Sequence, residues 1–355
     1  MKGLILKLIA IIFVITIVVG AFIVGYYTKR CGVSETETTI SNVVTPKPLE
    51  KYQIENLAKS RITKGEIEII EVIEEEDEYT SYLFEFSHDP TLSYNSGFKK
   101  TTGQINIPQS EDDTKLQRYP AILMLRGYID QERYETGDGT KNAAGYFAAN
   151  GFITVAPDFL GYAGSDPEAG NIFESRFQTY TTALSLLKTL ETKDKYTLNN
   201  KSLGYWDEEN IFIWGHSNGG QIALTILEIS KKDYPTTLWA PVSKNFPYSI
   251  LYYTDESDDR GKLIRNELAK FEENYDVEKY SLANHLDWLN APLQIHQGTA
   301  DDAVPLDWTE DLTEKLDDLS LDFDYFTYPG ADHNMRPAWN TVVSRDLSFF
   351  QANIK

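Results

Sequence analysis

The chain has 355 residues, of which 41% are hydrophobic and 13% aromatic, enough for one large domain with a substantial core. Its formal net charge of -21 opposes binding to nucleic acid, so we expect no nucleic-acid partner. The single cysteine, Cys31, excludes an internal disulfide framework and a CxxC metal site.

The first predicted element is a hydrophobic segment near the amino terminus. Leu8–Tyr27 is uncharged and, as a helix, long enough to cross a hydrocarbon core of about 30 Å. Two basic residues flank it on each side, so charge does not set its orientation. We expect residues 1–30 to form a single-pass membrane anchor, with the folded domain on the extracytoplasmic side. A cleaved signal peptide is the alternative.

A linker and a hairpin are predicted next. Residues 31–60 begin with a polar stretch rich in Ser and Thr and are assigned to a flexible linker, and residues 61–355 to the folded domain. Within residues 61–110, "GEIEIIEVIEEED" and "YTSYLFEFSH" predict an antiparallel hairpin with one exposed face. The acidic run Glu74–Glu78 lacks EF-hand spacing, which favours a solvated hairpin tip over a calcium site.

From Tyr119 onward, short apolar runs alternate with helical patterns. The predicted strands lie in "YPAILMLRG", "GFITVAPDFLG", "ENIFIWG", "TTLWAPVS", "APLQIHQG" and "LDFDYFTYPG". Continuous apolar strands between amphipathic helices indicate an α/β fold, with a mostly parallel central sheet covered by helices on both faces. In such sheets functional residues collect at the carboxyl ends of the strands.

The segment "FIWGHSNGGQIAL" predicts a sharp corner between a buried strand and a helix. It contains G-x-S-x-G, in which glycines on both sides of Ser217 let the helix and the neighbouring strands approach closely. Such a turn lifts the serine hydroxyl clear of the sheet, and the start of the helix presents N–H groups to developing negative charge. Ser217 is therefore the predicted nucleophile.

A serine nucleophile needs a base, and the base needs an acid to orient it. Of the five histidines, His333 follows the last predicted strand, in a loop that can reach back to the serine. The acid is expected after the penultimate strand, where "GTADDAVP" offers Asp301 and Asp302. We favour Asp301 as the orienting acid, with one of the pair fixing the turn.

The order Ser, Asp, His along the chain is the order found in α/β-hydrolases. The oxyanion that forms during acyl transfer would be held by backbone N–H groups, which we assign to Asn218 and Tyr128. This chemistry requires no cofactor and no metal.

Three motifs occur in this order: "GHSNGG", "GTADDAVP" and "ADHNM". Together they resemble the catalytic domain of the prolyl oligopeptidase family of serine peptidases, over roughly residues 100–350. The resemblance implies an α/β-hydrolase fold in which Ser217 is the nucleophile, Asp301 orients and His333 transfers the proton. It strengthens the choice of Asp301 over Asp302.

Two departures from the family pattern bear on function. Peptidases of the family usually carry a β-propeller, but only about 90 residues separate the predicted anchor from "YPAILMLRG". Several members place a tyrosine or histidine before the glycine of the oxyanion loop, where this chain has Arg126-Gly127-Tyr128. Arg126 would either bind a substrate carboxylate or form a structural ion pair, and we favour the ion pair.

Residues 246–289 form an insertion between two predicted strands. Its aromatic run "FPYSILYY" and the amphipathic "KLIRNELAKFEENY" are typical of a lid over the serine or, equally, of a packed peripheral helix.

Three functions are compatible with these patterns. The first is a membrane-anchored serine peptidase acting on short peptides through an acyl-enzyme on Ser217. The second is a carboxylesterase or related acyl hydrolase that uses the same triad. The third, a binding domain without activity, is disfavoured because nucleophile, acid and base are all present in order. The expected partners are a small peptide or ester substrate and, through the amino-terminal helix, a membrane.

Overall fold

The computed structural model describes residues 47–94, 97–109, 118–192, 195–198, 201–254 and 259–355. The predicted anchor at Leu8–Tyr27, and the predicted linker as far as residue 46, lie outside the described residues. Within the described ranges, no helix combines the length and the apolar character that a membrane span requires.

Ten strands form one sheet in the described part of the chain. They are β1 (Glu66–Glu75), β2 (Tyr79–His88), β3 (Lys99–Pro108), β4 (Arg118–Leu125), β5 (Ile153–Pro157), β6 (Lys195–Leu198), β7 (Lys201–His216), β8 (Thr236–Trp239), β9 (Leu293–Gly298) and β10 (Phe323–Tyr328). Their order across the sheet is β1-β2-β3-β5-β4-β7-β8-β9-β10, with β6 paired to β7.

The sheet has an antiparallel and a parallel part. β1, β2, β3 and β5 pair antiparallel in turn, whereas β5, β4, β7, β8, β9 and β10 pair in parallel. The mostly parallel α/β-hydrolase-like sheet is therefore as predicted. The structure adds two strands that the apolar patterns did not single out, β3 and β6, and β7 begins eight residues before the predicted "ENIFIWG".

Helices pack on the sheet from both sides. The α-helices are α1 (Ile54–Lys59), α2 (Lys141–Ala149), α3 (Ile172–Leu190), α4 (Asn218–Ser230), α5 (Tyr248–Leu251), α6 (Lys262–Glu272), α7 (Leu306–Asp318) and α8 (Trp339–Ala352). Short 3-10 helices occur at Glu50–Tyr52, Gln131–Arg133, Val277–Tyr280, Leu282–Asn284 and Leu286–Trp288.

Alternation along β4 shows why both faces are covered. Leu123 and Leu125 belong to one hydrophobic core, which also contains side chains of α3 and α4. Ile122 and Met124 point to a second core, which contains side chains of α2 and α8. Because successive side chains of a strand point to opposite faces, a continuous apolar run needs a cover on each side.

Residues 47–59 belong to the folded unit, which corrects the predicted linker boundary at residue 60. Tyr52, Ile54 and Leu57 are buried in the core. The Tyr52 hydroxyl donates a hydrogen bond to the Glu174 carboxylate at 3.1 Å. This segment carries apolar side chains at helical spacing, and burial against the rest of the domain orders it.

The described part of the insertion packs onto the domain. Phe246 and Phe271 are buried, with ring centroids 5.6 Å apart. The Phe271 ring lies 5.1 Å from Phe173 of α3, and the Tyr280 ring lies 4.8 Å from Phe177 of the same helix. These contacts favour the packed helix over the lid for residues 262–280.

Candidate active site

Ser217 occupies a strained corner between β7 and α4. Its φ of 56° and ψ of −119° lie in a region that non-glycine residues seldom adopt. Its N–H donates to the Trp239 carbonyl at 2.8 Å, and its carbonyl accepts from the Val242 N–H at 3.0 Å. These two bonds, to the last residue of β8 and to the segment that follows it, hold the corner in place.

The glycines of the corner are required by space. A Cβ on Gly219 would lie 1.9 Å from the Leu125 carbonyl oxygen, and a Cβ on Gly215 would lie 2.8 Å from the Gly219 carbonyl oxygen. Neither distance is compatible with any side chain. The motif therefore brings the start of α4 directly against the end of β4.

Asp301 and His333 meet at the same edge of the sheet. Asp301 follows β9 and His333 follows β10, and these parallel strands end level with each other, with Gly298 paired to Tyr328. The His333 Nδ1 lies 2.9 Å from one Asp301 carboxylate oxygen and 3.0 Å from the other. The Asp301 side chain is 0% exposed and that of His333 is 19% exposed. The pair is thus shielded on the acid side and open on the base side.

Asp301 also fixes its own turn. Its Oδ1 accepts hydrogen bonds from the N–H groups of Ala303 and Val304, at 2.9 and 2.8 Å. Burial alone would raise the pKa of Asp301, but the hydrogen bond and charge of His333, with these two N–H donors, hold that pKa below its usual value. Asp302 is exposed. One carboxylate therefore performs both tasks that were predicted for the pair.

His216 contacts both the backbone and the ring of His333. Its Nε2 lies 2.9 Å from the His333 carbonyl oxygen, so Nε2 carries the hydrogen and donates it. The two imidazole rings are 4.6 Å apart. Burial, and to a lesser extent the neighbouring His333, lowers the pKa of His216 to about 4, which keeps this ring neutral at physiological pH.

Among the described residues, the Ser217 hydroxyl makes no hydrogen bond to the His333 ring. Hydrogen bonds between a nucleophile and its base often tighten only when substrate is bound.

The predicted oxyanion donors lie beside Ser217. A Cβ on Gly127 would lie 3.0 Å from the Ser217 Cβ and 3.5 Å from its Oγ, so the loop before Tyr128 touches the serine. Asn218 begins α4, where N–H groups lack an acceptor within the helix. Neither the Asn218 nor the Tyr128 N–H donates a hydrogen bond within the described residues. Tyr128 as a residue is 77% exposed.

A family model of the prolyl oligopeptidase family matches residues 140–355. The chain belongs to the prolyl oligopeptidase family. This membership makes it a serine hydrolase, as the order of the three motifs predicts.

One sequence relative is a probable dipeptidyl-aminopeptidase. The chain is 26% identical over 286 residues to a probable dipeptidyl-aminopeptidase B of Penicillium rubens, which covers 77% of this chain and 29% of that protein. The chain therefore spans about a third of the length of this curated relative.

Solved structures of two kinds share the fold. An acetyl xylan esterase from Paenibacillus sp. R4 superposes with a TM-score of 0.58 at 13% identity, covering 86% of this chain and 95% of the esterase. Acetyl xylan esterase 1 from a Thermoanaerobacterium species gives 0.56 at 16% identity, with 86% and 94% covered. A putative dipeptidyl aminopeptidase IV from Bacteroides ovatus gives 0.53 at 18% identity, with 82% and 36% covered.

Arg126, which departs from the family pattern, supports the oxyanion loop. Its guanidinium donates to the carbonyl oxygens of Gly127 at 2.9 Å and Asp158 at 2.8 Å. It lies 4.0 Å from the ring of Tyr162 and 4.5 Å from that of Tyr134. Within the described residues Arg126 forms no ion pair, so the favoured prediction of a structural ion pair was wrong. Its role is structural, but its partners are backbone carbonyl groups and aromatic rings and not a carboxylate.

The other histidines lie apart from the serine hydroxyl. His88 is buried on β2 with its Nε2 2.8 Å from the Thr182 hydroxyl, and burial lowers its pKa to about 4. His296 is buried in β9 against Asp346, at 2.9 Å. His285 lies against Trp288, with ring centroids 4.4 Å apart and the ring planes tilted by 42°. Over the described ranges, no group of three or more potential metal ligands is found.

Two supporting residues were not predicted from the sequence. Gln297, on β9, donates from Nε2 to Asp301 at 3.1 Å and is held by the Thr309 hydroxyl at 2.7 Å. The other is His216, whose bond to the His333 carbonyl is not evident from its place beside Ser217 in the sequence. β9 also carries Gln294 and His296, so no local signal in the sequence singles out Gln297.

Proposed function

We propose that this chain is a serine peptidase that cleaves an amide bond through an acyl-enzyme on Ser217. The observation that carries the proposal is the Asp301–His333 pair, with the acid buried and the base accessible, at the edge of the sheet where the Ser217 corner lies. Family membership and the dipeptidyl-aminopeptidase relative support amide substrates.

The first half of the reaction forms the acyl-enzyme. Ser217 Oγ attacks the substrate carbonyl while His333 Nε2 takes its proton, and Asp301 holds the His333 Nδ1–H. The carbonyl oxygen becomes negatively charged and accepts hydrogen bonds from the N–H groups of Asn218 and Tyr128. When the tetrahedral intermediate collapses, the C–N bond breaks and the leaving amine takes the proton from His333.

The second half releases the acyl group. Water enters, gives a proton to His333 and attacks the ester carbonyl on Ser217. A second tetrahedral intermediate forms and collapses, Ser217 regains its proton from His333, and the acid product leaves. No cofactor takes part in these steps.

An ester substrate is the second candidate. The two acetyl xylan esterases match over nearly their whole length, whereas the peptidases extend far beyond the matched region. The described residues before β4 contain three strands and one short α-helix, and these do not make up a β-propeller.

Attachment to a membrane through Leu8–Tyr27, with the catalytic domain outside the cytoplasm, is part of the proposal and rests on the sequence alone.

The test compares an amide with an ester that has the same acyl part, using the purified full-length chain and Ser217→Ala. We expect the wild type to hydrolyse a dipeptidyl aminocoumarin amide and Ser217→Ala to be inactive. Ester hydrolysis without amide hydrolysis would reject the peptidase and leave the esterase.

A matched pair of variants tests the acid in the same assay. Asp301→Asn should lower kcat by roughly 10³-fold or more, because His333 loses the partner that sets its tautomer. Asp302→Asn, an identical change one residue later on an exposed side chain, should stay within about twofold of the wild type. Equal losses in both would contradict the assignment of the acid.

A further inference from the structure

A cavity of about 200 Å³ adjoins the oxyanion donors. Tyr128 and Asn218 both contribute to its wall. Aromatic and aliphatic side chains form much of the remainder: Phe159, Leu160, Tyr162, Ile172 and Ile222. A larger cavity of about 450 Å³ lies near the start of the apolar part of β7, around residues 208–212, and none of its described lining residues belongs to the triad.

The position of the smaller cavity assigns it to one half of the substrate. The leaving group must lie within hydrogen-bond reach of His333, since it takes its proton from that ring. Among the described lining residues, none comes from the loop of His333 or from the loop of Asp301. A cavity that touches the oxyanion donors but neither of these loops holds the acyl half.

Two arginines give this cavity positive charge. Arg126 and Arg176 both line it, and neither forms an ion pair within the described residues. Glu168 is the one carboxylate among the described lining residues, and it accepts hydrogen bonds from Ser175 and Gln131. Two guanidinium groups without a carboxylate partner stand out in a chain whose net charge is -21.

Arg176 is the more available of the two. Arg126 is buried, and its two terminal nitrogens donate to the carbonyl oxygens of Gly127 and Asp158, while its Nε has no hydrogen-bond partner among the described residues. Arg176 is half-buried on α3 and donates from one terminal nitrogen to the Gln221 side chain, in the first turn of α4. The rest of its planar fork matches the geometry of a carboxylate.

We propose that this cavity binds the acyl half of the substrate and that Arg176 binds a carboxylate carried by that acyl group. The inference rests on the proposed acyl transfer at Ser217 and adds the substrate class: acyl groups that bear a carboxylate near the scissile carbonyl. Arg126 adds positive potential behind the oxyanion loop. Long-range repulsion by the acidic surface is screened beyond about 8 Å at physiological ionic strength, so it does not prevent binding.

The test uses two p-nitrophenyl esters of equal length, the monoester of adipic acid and the ester of adipic acid monoamide. The full-length wild type should show the higher kcat/KM for the charged ester. Arg176→Gln should lower kcat/KM for the charged ester by roughly 10- to 100-fold, as expected for a charge-assisted hydrogen bond, and change that for the neutral ester by less than about twofold. Arg176→Lys should retain part of the preference. Arg133→Gln, on an exposed side chain of the 3-10 helix Gln131–Arg133 and outside the cavity lining, is the control.

The outcomes separate this inference from the proposed function. If Ser217-dependent hydrolysis occurs but Arg176→Gln affects both esters equally, or the wild type prefers the neutral ester, the carboxylate site is rejected and the serine hydrolase chemistry stands. If neither ester is hydrolysed and a fluorophosphonate does not label Ser217, acyl transfer itself is rejected, and the inference falls with it.

Discussion

His216 shows how a residue beside the nucleophile can act on the base instead. Its Nε2–H reaches the His333 carbonyl at 2.9 Å, and its ring underlies the His333 ring. The bond joins the loop after β10 to the end of β7, so it ties the backbone of the base to the strand that leads into the serine. We therefore regard His216 as a positioning residue.

His216→Phe keeps an aromatic ring and removes the donor. We expect kcat to fall roughly tenfold with little change in KM, because the part-buried carbonyl of His333 loses its donor and the loop shifts. His216→Gln, whose amide can donate, should recover part of the loss. Rates are to be divided by the concentration of active sites that a fluorophosphonate titrates, so that a loss of folded protein is not mistaken for a lower kcat.

The matched control for this prediction is His285→Phe. His285 is the same residue type in a 3-10 region against Trp288 and does not contact the triad. An unchanged normalised kcat in His216→Phe would show that the hydrogen bond does not position the base.

At the scale of a single element, α4 combines the predicted oxyanion donor at its start with a buried acid near its end. Glu228 is fully buried, and neither of its carboxylate oxygens has a hydrogen-bond partner among the described residues. Burial, and then the charge of Asp287, raises the pKa of Glu228 well above its usual value. The folded state thus holds Glu228 neutral, while the unfolded chain ionises it above about 4.5.

Glu228→Met should therefore stabilise the protein at neutral and alkaline pH. The pKa of Glu228 is higher in the folded than in the unfolded chain. The stability that Glu228 contributes is therefore complete below its unfolded pKa and is lost as the pH rises above that pKa toward the folded one. We expect the free energy of unfolding to rise by roughly 1–3 kcal/mol near pH 8 and by less near pH 5, measured by urea denaturation.

The control for Glu228→Met is Glu314→Met on the exposed face of α7. It makes the same chemical change without removing a buried acid, so it should leave the midpoint nearly unchanged. A drop in stability for Glu228→Met at pH 8 would mean that the carboxylate has a stabilising role.

At the scale of the whole molecule, buried histidines and the buried glutamate predict opposite pH trends. His88 and His216 have folded pKa values of about 4 against an ordinary 6.5, because burial disfavours their charged forms. The unfolded chain therefore binds more protons between these values, and stability falls as the pH falls from 6.5 to 4, by roughly 3 kcal/mol for each histidine. Above pH 6.5 the histidines no longer change the stability, whereas Glu228 continues to lower it as the pH rises.

We therefore expect the stability of the protein to be greatest near pH 6.5. Chemical denaturation across the range from about pH 4 to pH 9 measures it. His88→Asn should flatten the acid side, and Glu228→Met should flatten the alkaline side. A stability curve that rises steadily to pH 9 would contradict the account.

Much of the architecture follows from the sequence alone. The apolar runs that became β4, β5, β7, β8, β9 and β10 predict a parallel sheet, because strands buried on both faces must be apolar throughout. G-x-S-x-G between a strand and a helix, with an acid and a histidine after the last two strands, predicts the site residues that meet at the sheet edge. Each of these signals is local: it depends on neighbours within one strand, one turn or one motif.

The tertiary structure decided what depends on residues far apart in the chain. Residues 47–59 were assigned to a linker, yet Tyr52 reaches Glu174 on α3. The contact of His216 with His333 spans 117 positions. Arg176 and Tyr128 line one cavity because α3 packs beside the oxyanion loop. No local pattern encodes such neighbours, because they arise only when the helices settle on the two faces of the sheet and bury what lies between.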